Sequence, residues 1–352
     1  MKKSFLPLLA LVAMASCTQN DMDLKGSNDQ SEIRLKSTAM TIDAVVSRAP
    51  FDGTITTTTN ELTAKVMKSL ATGNYSATAT GLFEGEMTFT DQGTTAFGFN
   101  TTPQYYPADG SSVYLCGLYP TTGWTIGATA TTTAEIVIDG KTDAMAAKEV
   151  TTTKADALTG GTYKTLDFKH MLTKLKIKSI AEPTTQVASD AAVAAWGKIT
   201  KIELQEIIGL TPLSKATVDM KAGTATYTDK SGVTVYQMSG NDTYPATDVA
   251  FTGLTVSIPV AATFPGASTD AVDVAYSLIA PFTHDVAKKD IFLKVYTEKY
   301  TTGFDVKVDL NDATNTLGKY CIVTLIFKAS KIEAMATVTD WVAGGTGDST
   351  IE

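Results

Sequence analysis

The chain has 352 residues, 43% of them hydrophobic and 19% charged, which is a globular composition long enough for two ordinary domains with cores of their own. Its net charge of -8, with no dense lysine patch, lacks the cationic footprint that neutralises phosphates and so speaks against nucleic acid as a partner. Its 59 threonines, β-branched and hydroxylated, suit the wet face of an antiparallel sheet better than a helix, so an all-β fold is expected.

In chain order, "MKKSFLPLLALVAMASC" begins with two lysines, continues with an apolar run from Phe5 to Val12 and ends in small residues up to Cys17. This is the layout of a secretory signal, and the run is too short to stay across a bilayer. Met14, Ala15, Ser16 and Cys17 resemble the lipobox of bacterial lipoproteins, in which cleavage before the cysteine leaves a thiol for diacylglycerol. The alternative is an ordinary signal peptide with a chance cysteine. Residues 18–37 are polar and of mixed charge and read as a flexible tether. In "AMTIDAVVS", Ala39 to Ser47, the residues Met40, Ile42, Ala44 and Val46 share one face, which predicts a half-buried strand ending just before Arg48 and Ala49.

Beyond Ala49, short runs such as "EMTFT", "SSVYLCGLY", "LTVSIPV", "IFLKVYT" and "YCIVTLIF" are separated by turn chemistry, as packed antiparallel sheets require. "KLKIK", Lys174 to Lys178, reads as one strand with its lysines in solvent. Two short helices are signalled, at "NELTAKVMKSL" from Asn60 and "SDAAVAAWGKI" from Ser189. The Gly- and Thr-rich stretch from Ala157 to Thr165 is the expected junction, with one β-sandwich over residues 49–162 and a second over 163–352.

Catalytic constellations are not legible. His170 and His284 have no metal partner at useful spacing, and no phosphate loop, nucleophile elbow or dinucleotide fingerprint occurs. Cys116 and Cys321 lie in apolar strand-like runs and are expected as buried free thiols. We therefore expect no enzyme, no cofactor and no metal. Tyr105, Tyr106, Tyr114, Tyr119 and Trp124 cluster in sequence, either to stack on a sugar or to fill a sandwich core.

The arginine distribution is unusual. Of 29 basic residues two are arginines, Arg34 and Arg48, and none follows. Chance places both in the first 48 positions about 2% of the time. Arginine's planar, always-charged fork pairs bidentately with a carboxylate in a protease pocket, a geometry lysine does not reproduce. A cut after Arg48 would leave a product that resists the same protease.

The ordered pieces "YYPADGSSVYLCGLYP", "IDGKTDAMAA", "FKHMLTKLKI", "GKYCIVTLIF" and "ATVTDW" resemble the fimbrillin family, the type V pilins of Gram-negative anaerobes. The resemblance implies two tandem transthyretin-like β-sandwiches with Greek-key-type sheets. It also implies export as a lipoprotein and polymerisation by strand exchange for adhesion. Its implied partners are signal peptidase, outer-membrane lipid through Cys17, an arginine-specific protease and other pilin subunits. The strand to be donated would lie at residues 332–342, where Ile332, Ala334, Ala336 and Val338 alternate against a face that includes Trp341; alternatively this strand closes its own domain. A lipid-anchored tip adhesin that binds a glycan or host protein is the second functional expectation.

Overall fold

Alternation with period two governs most of the chain. The computed structural model describes residues 31–37, the backbone of Thr41–Ile42 and Gly53–Thr54, and residues 61–341 apart from 92–94, 129–130, 159–161, 206–211, 241–243, 246, 282–289 and 311–315. The first half contributes β1 (Leu62–Ser69), β2 (Phe83–Phe89), β3 (Val113–Tyr119), β4 (Thr133–Val137), β5 (Met145–Thr152) and β6 (Phe168–His170), with a short α1 (Lys154–Leu158). Next come β7 (Thr173–Ala181), α2 (Gln186–Trp196), β8 (Ile199–Gln205), β9 (Lys215–Asp219), β10 (Thr224–Thr228) and β11 (Thr252–Val256). The chain continues with β12 (Val272–Ile279), β13 (Asp290–Thr297), β14 (Phe304–Asp309), β15 (Lys319–Lys328) and β16 (Lys331–Asp340). The all-β expectation holds.

The stretch from Asn60 that reads as a helix is β1 instead. Leu62, Ala64 and Val66 face one way and Met67 the other, and β2 and β3 pair on its two sides. A short apolar run carries no decisive period, so pairing on both edges overrides helix propensity. The second helix signal is correct but begins earlier. α2 opens at Gln186, where the Thr185 side chain accepts from the Ala188 N–H, a regular N-cap.

The first sandwich sets a five-stranded sheet, in the order β6-β5-β3-β1-β2, against a smaller one made by β10, β9, β4 and the pair Thr125–Ile126. Between them lie Met67, Cys116, Leu118, Ala134, Ile136, Ala216 and Val218. Strands β9 and β10 come from beyond residue 162, yet β9 pairs with β4 in the register Ala216↔Ile136 and Val218↔Ala134. A single boundary at 162 therefore does not divide the two sandwiches, because a hairpin from the second half completes the first. Gly140 sits at this crossing with φ +91, and a Cβ on it would meet the Thr234 carbonyl oxygen at 2.0 Å. Glycine alone permits that approach.

The second sandwich sets a five-stranded sheet, Tyr236–Gln237 followed by β12-β7-β15-β16, against β11-β8-β13-β14. The β7–β15 pair is parallel, whereas β12 and β16 add on antiparallel. Its core holds Leu175, Ile177, Ile202, Leu293, Val295, Val323 and Phe327, with Trp196 of α2 closing one end. The Trp196 ring packs edge-on against Phe304 and Phe327, and its Nε1 donates to the Lys328 carbonyl at 2.6 Å.

The lysines of "KLKIK" are not on a solvent face. Lys174 and Lys176 are 4% and 5% exposed. The Lys174 Nζ lies 4.8 Å from the Tyr320 ring centroid, and the Lys176 Nζ lies 3.2 Å from Asp273 Oδ2. Alternation placed them on the correct face, but aromatic rings and a carboxylate cover that face and the aliphatic stems lie beneath them.

Replacing Trp196 by Ala removes the largest fully buried side chain and its hydrogen bond. We expect a loss of about 3–5 kcal/mol in chemical denaturation, with an unchanged denaturant slope.

Candidate functional site

The second face of the five-stranded sheet, carrying Leu62, Ala64, Val66, Val113 and Leu115, is covered by the leader "SEIRLKS", residues 31–37. The tether expected there is a strand-like segment from Ser31 onward. Ile33, Leu35 and Ser37 are fully buried, while Glu32, Arg34 and Lys36 are half-buried between them. Ile33 and Leu35 pack among Met87, Phe89, Phe99, Tyr106, Leu166 and Phe168.

Backbone bonds hold the leader on two sides. The Ile33 N–H donates to the Gln104 carbonyl at 2.7 Å, and the Tyr106 N–H donates to the Ser31 carbonyl at 3.0 Å. Leu35 and Phe97 exchange both bonds, at 2.9 and 2.8 Å, and the Lys36 N–H donates to the Lys164 carbonyl at 2.9 Å. Lys36–Ser37 then runs parallel to Thr165–Leu166. Near the seat, Lys68 Nζ donates to Gln104 Oε1 at 2.8 Å, and burial holds this ammonium below its ordinary pKa. Burial likewise pushes the Tyr106 phenol up, with its hydroxyl 3.0 Å from Thr152 Oγ1.

Two buried aliphatic side chains contribute about 3–6 kcal/mol. Five backbone hydrogen bonds at about 0.5–1.5 kcal/mol each add roughly 2.5–7.5. Ordering seven residues costs about 1–2 kcal/mol apiece, roughly 7–14 in all. Gains and cost offset to within a few kcal/mol, so the leader is seated in the intact chain by a narrow margin, and the covalent tether, through its millimolar effective concentration, decides whether it stays against a competing strand.

The expected strand at residues 39–47 stands differently. Ile42 lies in Thr41–Ile42, which pairs antiparallel with Gly53–Thr54 in a two-stranded sheet separate from both sandwiches. Met40, Ala44, Val46, Arg48, Ala49 and the lipobox Cys17 lie outside the described residues. The seated leader was missed because it offers two large apolar residues in a polar stretch; the signal that could have found it is the alternation Ile33, Leu35 against Glu32, Arg34, Lys36.

At the other terminus, β16 is the edge strand of its sheet and pairs along its whole length with β15. Ile332, Ala334, Ala336 and Val338 face the core of their own sandwich, while Met335 is 55% exposed. Trp341 leaves this strand, packs at the junction of the sandwiches and stacks on His170 at 3.6 Å, with the rings 8° apart. His170 Nδ1 donates to Asp143, 3.0 Å from Oδ2. Leader and C-terminal strand thus lie on different sandwiches and do not meet.

The tyrosine cluster does not form a platform. Tyr106 and Tyr119 belong to the leader side of the five-stranded sheet and Trp124 to the opposite core, while Tyr105 is 43% exposed. Cys116 and Cys321 are buried free thiols, as expected, and burial pushes the Cys321 pKa up to about 12. His284 lies outside the described residues. Among the described residues no group of three His, Cys, Asp or Glu side chains is placed to hold a metal ion.

The sequence profile of the fimbrillin-like family matches residues 66–341, well over half the chain. The chain belongs to the fimbrillin-like family. No curated protein matches it. Among solved structures it is similar to a candidate cell adhesion protein of Bacteroides uniformis, at 16% identity and a TM-score of 0.53, covering 90% of this chain and 100% of that one. A fimbrial protein of Bacteroides vulgatus aligns at 11% identity and TM-score 0.46, covering 87% and 100%. A fimbrial assembly protein of Parabacteroides distasonis aligns at 10% and 0.42, covering 88% and 99%. The likeness to the first supports the fold.

Truncating Leu35 to Ala should empty part of the seat and lower stability by about 2–5 kcal/mol. Arg34→Ala removes a half-exposed ion pair to Glu32 and should cost about 1 kcal/mol or less. Urea denaturation of the two variants checks the difference.

Proposed function

We propose that the chain is a structural fimbrial subunit whose own leader occupies its assembly groove until proteolysis frees it. Membership of the fimbrillin-like family supports a fimbrial or adhesive role at the cell surface, in assembly with other pilin subunits. The observation that carries the finer reading is the burial of Ile33 and Leu35 against a sheet face across which, among the described residues, the leader pairs with the short strand Thr165–Leu166 and with single bridges at Phe97 and Tyr105. A segment seated by only a few kcal/mol, held by its tether, is displaced by a competing strand once that tether is cut.

In this reading, signal peptidase exposes Cys17, lipid attached there holds the precursor at the outer membrane, and an arginine-specific protease cuts between Arg48 and Ala49. The groove then accepts a strand of matching alternation from another subunit, by backbone pairing and side-chain pockets. The donor is the C-terminal strand. It is already an edge strand and presents Ile332, Ala334, Ala336 and Val338 on one face. Giving it up exposes part of its own core, which the neighbour's groove must offset. Contact between unlike surfaces does not close on itself, so the product is a fibre.

Treating the purified full chain with an arginine-specific endoprotease should give a body beginning at Ala49 and, on concentration, oligomers that withstand mild denaturant. An Arg48→Ala chain should stay monomeric. Cleaved chain that remains monomeric by light scattering at high concentration rules out the groove as an assembly site.

A further inference from the structure

Arg34 has no part in the reading above, yet it is the other arginine of the chain and lies in the middle of the seated leader. The bond that follows it is protected by its backbone. The nitrogen of the Arg34–Leu35 amide donates to the Phe97 carbonyl at 2.9 Å, and the Leu35 carbonyl accepts from the Phe97 N–H at 2.8 Å. On the other side the Ile33 N–H is bonded to Gln104 at 2.7 Å. An endoprotease binds its substrate as an added strand, through these same backbone groups and the side chains beside the cut. Here the groups are taken, and both neighbouring side chains are fully buried. The guanidinium is in a different state: its side chain is 41% exposed and its Nε pairs with Glu32 Oε2 at 2.9 Å. The recognition element is visible while the scissile bond is not.

We propose that Arg34 is a masked proteolytic site for an arginine-specific endoprotease, cut only after the leader leaves its seat, and that this second cut makes departure irreversible. The proposal rests on the leader being removable. In the reaction water adds across the Arg34–Leu35 amide: the C–N bond breaks, Arg34 keeps a new carboxylate and Leu35 gains a free amine. No oxidant or cofactor is needed. The consequence follows from where the bond lies. Ile33 goes to one fragment and Leu35 to the other, so neither piece carries both apolar anchors and the gain from linking them is lost. A leader that departs whole can return to the groove and compete with an incoming strand. A halved one cannot.

The test follows hydrolysis of the Arg34–Leu35 bond by mass spectrometry in the folded full chain and in a synthetic peptide of residues 28–40, under the same endoprotease. The folded chain should be cut on the order of 100-fold more slowly, because cleavage tracks the small open population of a seated segment. The double variant Ile33→Ala with Leu35→Ala should approach the peptide rate while retaining its sheet signal in circular dichroism. An Arg34→Lys chain, cut elsewhere between leader and β1, should release an intact leader that, added back in excess, competes for the groove and slows oligomer formation, whereas the halved wild-type leader should not compete. Equal rates for folded chain and peptide, or a double variant as protected as wild type, overturn the proposal. Slow cutting at Arg34 without any oligomer after maturation would remove the assembly reading and leave the masked site standing. Oligomers formed while Arg34 is cut at the peptide rate would remove the masked site alone.

Discussion

Everything in the first sandwich depends on how its five-stranded sheet covers two apolar faces. Strands β1 and β3 carry large side chains in both directions, Val66 and Leu115 one way, Met67 and Leu118 the other. A sheet that is greasy on both sides needs two covers. One is a proper sheet. The other is assembled from the leader, α1 and the loops at Phe97, Phe99 and Tyr106, and its centre is the pair Ile33 and Leu35. A cover held by two side chains and a handful of backbone bonds is marginal by itself, which is why the length of chain joining it to β1 matters more than its own contacts.

The same economy explains the opposite end. β16 faces its own core with one isoleucine, two alanines and a valine, a light apolar load for a ten-residue strand. Trp341 supplies what the strand lacks. Its ring on His170, held in turn by Asp143, ties the end of the second sandwich to the end of the first. Stacked rings with a hydrogen-bonded imidazole fix an orientation as well as a contact.

Much of this architecture was legible. Alternating runs such as "VYLCGLY" and "YCIVTLIF" became β3 and β15 because period two survives any sheet environment. The fimbrillin resemblance found in scattered pieces fits the family that the chain belongs to. What failed did so for identifiable reasons. At Asn60–Leu70 a short apolar run suits a helical period as well as a strand's, and pairing on both edges makes it a strand; at Lys174–Lys178 local pattern gave the face but not what lay across it, since tyrosines and an aspartate from distant strands cover the lysines. The leader's polar composition hides it, because two apolar residues in register, Ile33 and Leu35, suffice where an apolar sheet face already exists. β5 and β9 are rich in alanine, threonine and charge, and declare themselves as strands through their partners on either side.

The hairpin β9–β10 lends itself to the first sandwich from the second half of the chain, and this shapes how the molecule can come into being. Contacts between β4 and β9 span some eighty positions and cross β7, which already belongs to the other sandwich. Such long-range closure is entropically costly early and rewarded late. A chain emerging from its amino terminus therefore cannot finish its first half before residue 219 has appeared, and the two halves mature together rather than in turn.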